Sequence, residues 1–130
     1  VHLLRGRLVA VVENDRLARE ALCSWLIDAG ARVAQASGLQ QLREVLRKAA
    51  EPPDLVLADY RLAEGTGADV VEAVRATYGW VPAWIITGES DIADRGLDLP
   101  VLHKPVTPER LLDALAAAFP GGELEPALRE

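Results

Sequence analysis

Pro53-Asp54-Leu55-Val56-Leu57-Ala58-Asp59 is the stretch that decides the fold. Its unbroken apolar run, bounded by aspartates, reads as a strand over 54–58 that is buried on both faces, as in a parallel sheet. Three more short apolar runs end in the same way. Leu8-Val9-Ala10-Val11-Val12 leads into Glu13-Asn14, Ala83-Trp84-Ile85-Ile86 into Thr87, and Val101-Leu102-His103 into Lys104. If these runs are parallel strands of one sheet, Glu13, Asn14, Asp59, Thr87 and Lys104 gather at one edge. That edge is where open α/β sheets build their sites.

Helical periodicity fills the gaps. Asn14 or Asp15 caps a helix to about Ala29, with Ala18, Ala21, Leu22, Trp25, Leu26 and Ala29 on one face and Gly30 as its stop. Arg32-Val33-Ala34-Gln35-Ala36 is a weaker strand. Leu39, Leu42, Val45 and Leu46 mark a second helix that ends before Pro52-Pro53. A glycine-bearing loop, Ala63-Glu64-Gly65-Thr66-Gly67, leads to a third helix over 68–78, with Gly67 expected to supply an unusual dihedral. A strand over Val81–Ile86, a short helix near 91–96, a strand over Pro100–His103 and a last helix capped by Thr107 and running to about Phe119 complete the chain. Strict β-α alternation predicts a parallel sheet with right-handed crossovers and helices on both faces. The expected division is a linker over 1–7, one domain over 8–119 and a flexible tail over 120–130.

At 130 residues the chain is one ordinary domain, half of it hydrophobic and about a quarter charged. A net charge of −6 argues against binding nucleic acid or an anionic membrane surface. No apolar run approaches the ~20 residues that cross a bilayer, and no signal peptide is expected. The single Cys23 excludes an internal disulfide and a cysteine metal cluster, which fits a reducing, cytoplasmic setting. There is no methionine, so Val1 is not a natural start and a piece of a larger protein is expected.

The chemistry turns on the strand-end residues. Taken singly, Asp59 reads more readily as a turn cap, Thr87 as a strand end and Lys104 as a solvated lysine, while Asn14 and Asp15 can cap a helix. Together they suit a phosphoryl group carried on Asp59. Crowded carboxylates raise each other's pKa unless a cation intervenes, and Mg²⁺ takes such hard oxygen ligands. A lysine ammonium and a hydroxyl stabilise charge on phosphoryl oxygens. Lys104-Pro105 can adopt the cis form used in sharp turns. Trp25, Trp80 and Trp84 are expected to be packing residues, and His103 a buried strand residue. Cys23 has no base beside it that would make it a nucleophile.

In this order and spacing, VVENDRLARE, PDLVLADYRLAEGTGADVVEAVR, WIITGESD and VLHKPVTPERLLDAL resemble the receiver domain of a two-component response regulator over about residues 7–119. The resemblance implies a CheY-like, flavodoxin-like (βα)₅ fold, doubly wound, with strand order 2-1-3-4-5. It implies that Asp59 is the phosphoacceptor, with Thr87 and Lys104 acting on the phosphoryl group. Mg²⁺ is then held by Glu13, Asn14, Asp59 and the backbone carbonyl of Arg61, and Pro105 is cis. It implies transfer from a phosphohistidine, followed by slow hydrolysis. The run LLRGRLVAVVEND and the form of LHKPV resemble receivers at the C-terminus of hybrid sensor histidine kinases. The implied partners are the kinase's phosphohistidine domain, in the same chain or in trans, and a histidine phosphotransfer protein.

Three departures from the family pattern are visible. Glu13-Asn14 stands where Asp-Asp is usual, which predicts weaker Mg²⁺ binding. Val101 stands at the usual switch aromatic. The span from Thr87 to Lys104 is short, which predicts a shortened fourth helix and makes the usual dimer face doubtful. A degenerate receiver that serves as a protein-interaction module is therefore the alternative. A phosphohydrolase of the haloacid dehalogenase type needs a second Asp where this chain has Arg61. In a flavodoxin-type flavin binder, Glu13-Asn14-Asp15 would repel the phosphate.

Overall fold

The continuous apolar runs become strands because each is covered on both sides. In the computed structural model, which describes residues 4–88 and 98–118, β1 (Leu8–Val12), β2 (Arg32–Ala36), β3 (Leu55–Asp59), β4 (Ala83–Thr87) and β5 (Val101–His103) form one parallel sheet. Their spatial order is β2-β1-β3-β4-β5. Among the described residues four helices alternate with them: α1 (Arg16–Asp28), α2 (Leu39–Ala49), α3 (Gly67–Tyr78) and α4 (Pro108–Ala118). This is the doubly wound flavodoxin-like architecture that the resemblance implies, built on the parallel sheet expected from the alternation. The short helix read near 91–96 lies outside the described residues, as does the tail.

Strand pleating sends successive side chains to opposite faces, and the core divides accordingly. Val9, Val11, Leu55, Leu57, Ile86 and Leu102 pack with α1 and α4 through Leu22, Leu26, Leu111 and Leu115. Ala10, Val12, Val56, Ala58 and Ile85 pack with α2 and α3 through Leu42, Leu46, Val70 and Val74. β1 and β3 are buried at every position, which is why neither shows polar alternation in the sequence.

Local chemistry sets the ends. Asp15 caps α1 by accepting from Ala18 N at 2.8 Å, and Gly30 turns the chain away at φ 98°. Thr66 and Asp69 form a reciprocal capping box at the start of α3. The strand read over 54–58 begins one residue later. Asp54 instead ties the starts of β1 and β3 together, accepting from Leu8 N at 2.8 Å and donating its own N–H to Leu8 O at 2.7 Å. The strand read from Val81 begins at Ala83, after Pro82, which has no N–H for the ladder.

Three expectations about individual residues are corrected. Leu4, in the presumed linker, is fully buried against the α1 cluster, and its N–H donates to Ala29 O at 2.9 Å. An apolar side chain one turn before a strand finds the end of the neighbouring helix. Trp80 is not a packing residue: it is 75% exposed, with the Arg75 guanidinium 5.0 Å from its ring centroid. His103 is exposed, because it is the last residue of the edge strand β5.

Candidate functional site

The register fixes the two carboxylates. Val12 of β1 pairs with Ala58 of β3, so the next residues, Glu13 just past β1 and Asp59 at the end of β3, stand side by side. By the pleat they continue the rows Val9-Val11 and Leu55-Leu57, on the α1 and α4 side of the sheet. Asp59 is the last residue of β3 and only 7% exposed, so its carboxylate is buried although it stands at the sheet edge. Glu13 is 2% exposed.

Lys104 completes the cluster from the other side. Its Nζ lies 3.3 Å from Asp59 Oδ2 and 3.7 Å from Glu13 Oε1. Its backbone N–H donates to Thr87 O at 2.8 Å, which carries the β4-β5 ladder one step past β5, and the following Lys104–Pro105 peptide is cis. Thr87 is buried as the last residue of β4, one position beyond Ile86, the register partner of Asp59.

The β3–α3 connection fits closely over Asp59. Gly67 does not have the left-handed dihedral expected of it; Gly65 does, at φ 82°. The requirement at Gly67 is space, since a Cβ there would lie 2.5 Å from Asp59 O. Gly67 N–H donates to Tyr60 O at 3.0 Å, and Arg61 and Thr66 form a single antiparallel bridge that closes the loop.

Glu13 carries an electrostatic imbalance. Its Oε2 accepts from Asp15 N at 2.9 Å, whereas its Oε1 is buried without a hydrogen-bond donor. Burial pushes the Glu13 carboxyl above its ordinary range, and the neighbouring Asp59 charge adds to the rise; the Asp15 N–H and the Lys104 charge oppose it. A buried acceptor with no donor is costly, and a cation at that point would relieve the cost. The hard-oxygen pair Glu13–Asp59 therefore fits a small divalent ion that keeps several waters. Among the described residues, no group of three His, Cys, Asp or Glu side chains could hold a metal. Asn14 stands where a third carboxylate would be. It is exposed and lines a cleft with Ser37, Gln41 and Glu64; Arg61 is exposed as well.

The structure thus brings Glu13, Asp59 and Lys104 together at the carboxyl edge of the sheet, with Thr87 alongside in the ladder. Asn14 and Arg61 stand on the solvent side of the same edge. Beside the cluster, Ala18, Leu22, Trp25, Pro105 and Val106 line a mainly apolar cleft of about 510 Å³ that reaches Glu13 and Lys104. Sequence reasoning missed Arg19, whose Nη1 donates to Glu13 O at 2.7 Å. Only its place one turn into α1 could have signalled it.

The profile of the family described as "Response regulator receiver domain" matches residues 9–116. The chain belongs to that family. This receiver domain is 31% identical over 119 residues to the transcriptional regulatory protein GltR of Pseudomonas aeruginosa, covering 86% of the chain and 48% of the relative. It is 33% identical over 114 residues to the response regulator protein PilR of the same organism, covering 84% of the chain and 25% of the relative. The receiver domain thus spans half or less of these curated relatives. Among solved structures it is similar to chemotaxis protein CheY4 of Vibrio cholerae, with TM-score 0.77, 26% identity and coverage of 87% of this chain and 98% of that one. It is also similar to the PhyR receiver domain of Erythrobacter litoralis, with TM-score 0.76, 27% identity and coverage of 88% and 90%. Its function class is accordingly that of a receiver in two-component signalling. No helix among the described residues is long and apolar enough to cross a membrane.

Proposed function

We propose that this receiver accepts a phosphoryl group from a phosphohistidine on Asp59. The observation that carries the reading is the buried pair Glu13 and Asp59 with Lys104 Nζ beside both, Glu13 Oε1 lacking a donor. An Asp59 carboxylate oxygen attacks phosphorus in line with the bond to the histidine nitrogen. The O–P bond forms, the N–P bond breaks, and its electron pair stays on the imidazole. Lys104, already 3.3 Å from Asp59 Oδ2, holds its positive charge beside the phosphoryl oxygens, and Thr87 supplies a hydroxyl. Glu13 and Asp59 would hold Mg²⁺, together with Asn14 and the backbone carbonyl of Arg61. When bound, Mg²⁺ neutralises charge on the carboxylates and the phosphoryl oxygens. Slow attack of water on phosphorus returns Asp59 to its free form.

The phosphoryl donor is a histidine kinase's phosphohistidine domain, in the same chain or in trans, or a histidine phosphotransfer protein. The lead-in LLRGRLVAVVEND and the LHKPV run favour a parent hybrid sensor histidine kinase acting in the cytoplasm.

Incubation with acetyl phosphate and Mg²⁺, read by intact mass, tests this. The expected result is one phosphoryl adduct, absent in Asp59→Asn and lost on chelation. No adduct, with the fold intact and a cognate kinase also tried, would favour the second reading, a receiver that works as an interaction module. The neutral, exposed Asn14 is the observation on that side.

A further inference from the structure

Arg19 joins two elements of the site edge. Its Nη1 donates to Glu13 O at 2.7 Å, and its Nε faces Gln35 Oε1 on β2 at 3.3 Å. The turn it spans is already looped: Asp15 N–H donates to Glu13 Oε2, and Arg19 N–H donates to Asp15 O at 2.9 Å. Glu13 N–H in turn donates to Ala36 O of β2 at 3.0 Å. Both main-chain groups of Glu13 are therefore held, one by β2 itself and the other by a side chain bonded to β2. Only the carboxylate remains to be aimed, and Asp15 N–H aims it. Arg19 is the sole side chain among the described residues seen to bond the Glu13 carbonyl.

We infer that Arg19 is a positioning residue for the phosphoacceptor site, pinning the β1–α1 turn so that Glu13 Oε1 stays pointed at Asp59 and Lys104. A guanidinium suits the task because its planar fork reaches two acceptors at once and always carries its charge. Without it, the Glu13 carbonyl turns to water and the turn gains freedom. Glu13 Oε1, which has no donor, then swings out toward solvent. This inference rests on the proposed phosphoacceptor function only for its consequence. The positioning itself is independent of phosphorylation.

Arg19→Ala and Arg19→Lys, beside the wild type, test it through three readouts: amide hydrogen exchange at Asp15, Mg²⁺ affinity by calorimetry, and the acetyl phosphate adduct by mass. In Arg19→Ala, Asp15 exchange should quicken and Mg²⁺ should bind about tenfold more weakly, the scale typical of lost support behind a metal ligand. Arg19→Lys, which keeps one donor for Glu13 O, should recover part of both. Unchanged exchange in Arg19→Ala would overturn the inference. So would an Arg19→Lys protein that melts like the wild type but exchanges like Arg19→Ala. If the wild type itself takes neither Mg²⁺ nor phosphoryl, the functional reading fails, and the Asp15 exchange alone decides the role of Arg19.

Discussion

Glu13 is the residue where burial and charge conflict most openly. Its carboxyl is pushed above the ordinary 4.5, first by burial and then by Asp59, so the folded protein binds this proton more tightly than the unfolded chain does. The resulting cost to stability is fully present above the folded pKa and vanishes below 4.5. With divalent ions chelated, Glu13→Gln keeps an acceptor for Asp15 N–H and should raise the melting temperature at pH 7. The gain should shrink as pH falls through the Glu13 titration; melting curves of both proteins across that range provide the check, and a constant difference would contradict the account. Asn14 offers a neutral oxygen where charge would help. Asn14→Asp is therefore expected to tighten Mg²⁺ binding by about tenfold in a calorimetric titration. An unchanged affinity would mean that position 14 does not contribute to the ion site. Both residues were legible in the sequence from their place after a buried run. The burial of Asp59 was not, because it depends on Lys104 and the β3–α3 loop arriving from elsewhere in the chain.

Elements reveal themselves in sequence when one force sets them. The runs in β1 and β3 are read directly because each strand is covered on both faces. Their ends are read less well, because single side chains decide them. Asp54 withdraws from β3 to bond Leu8, and Pro82 delays β4. The α3 start carries a signal readable in the sequence: Thr66 and Asp69 have the spacing of a capping box. Thr66→Ala removes the hydroxyl that accepts from Asp69 N at 3.2 Å and should cost about 1 kcal/mol in chemical denaturation. A loss well under half of that would show that the Asp69 carboxylate, bonded to Thr66 N at 2.9 Å, holds the turn alone.

For the whole molecule, the sheet separates two apolar layers and one acidic edge. The layers share the backbone of β1 and β3, so loss of either should unfold both. Leu26 in the α1–α4 layer and Leu46 in the α2–α3 layer are both almost fully buried. Leu26→Ala and Leu46→Ala should each cost about 2–5 kcal/mol, with one cooperative transition retained. Two separated transitions in either variant would show that the layers unfold independently. The order of the strands was legible only through resemblance to known receivers. Composition and periodicity predict alternation and a parallel sheet, but several strand orders satisfy both.

Trp80 holds a further consequence. The three tryptophans occupy three surroundings: Trp25 borders the cleft that reaches Glu13 and Lys104, Trp84 is partly buried against the α1–α4 layer, and Trp80 is open to water. An indole in water emits at longer wavelength than one in an apolar setting, so Trp80 imposes a constant red background on the protein's fluorescence. Removing it by Trp80→Phe, at a surface position, leaves the partly buried Trp84 as a steady emitter and Trp25 as a light source set beside the charged cluster. The receiver would then report optically, without any attached dye, each change of charge at its own sheet edge.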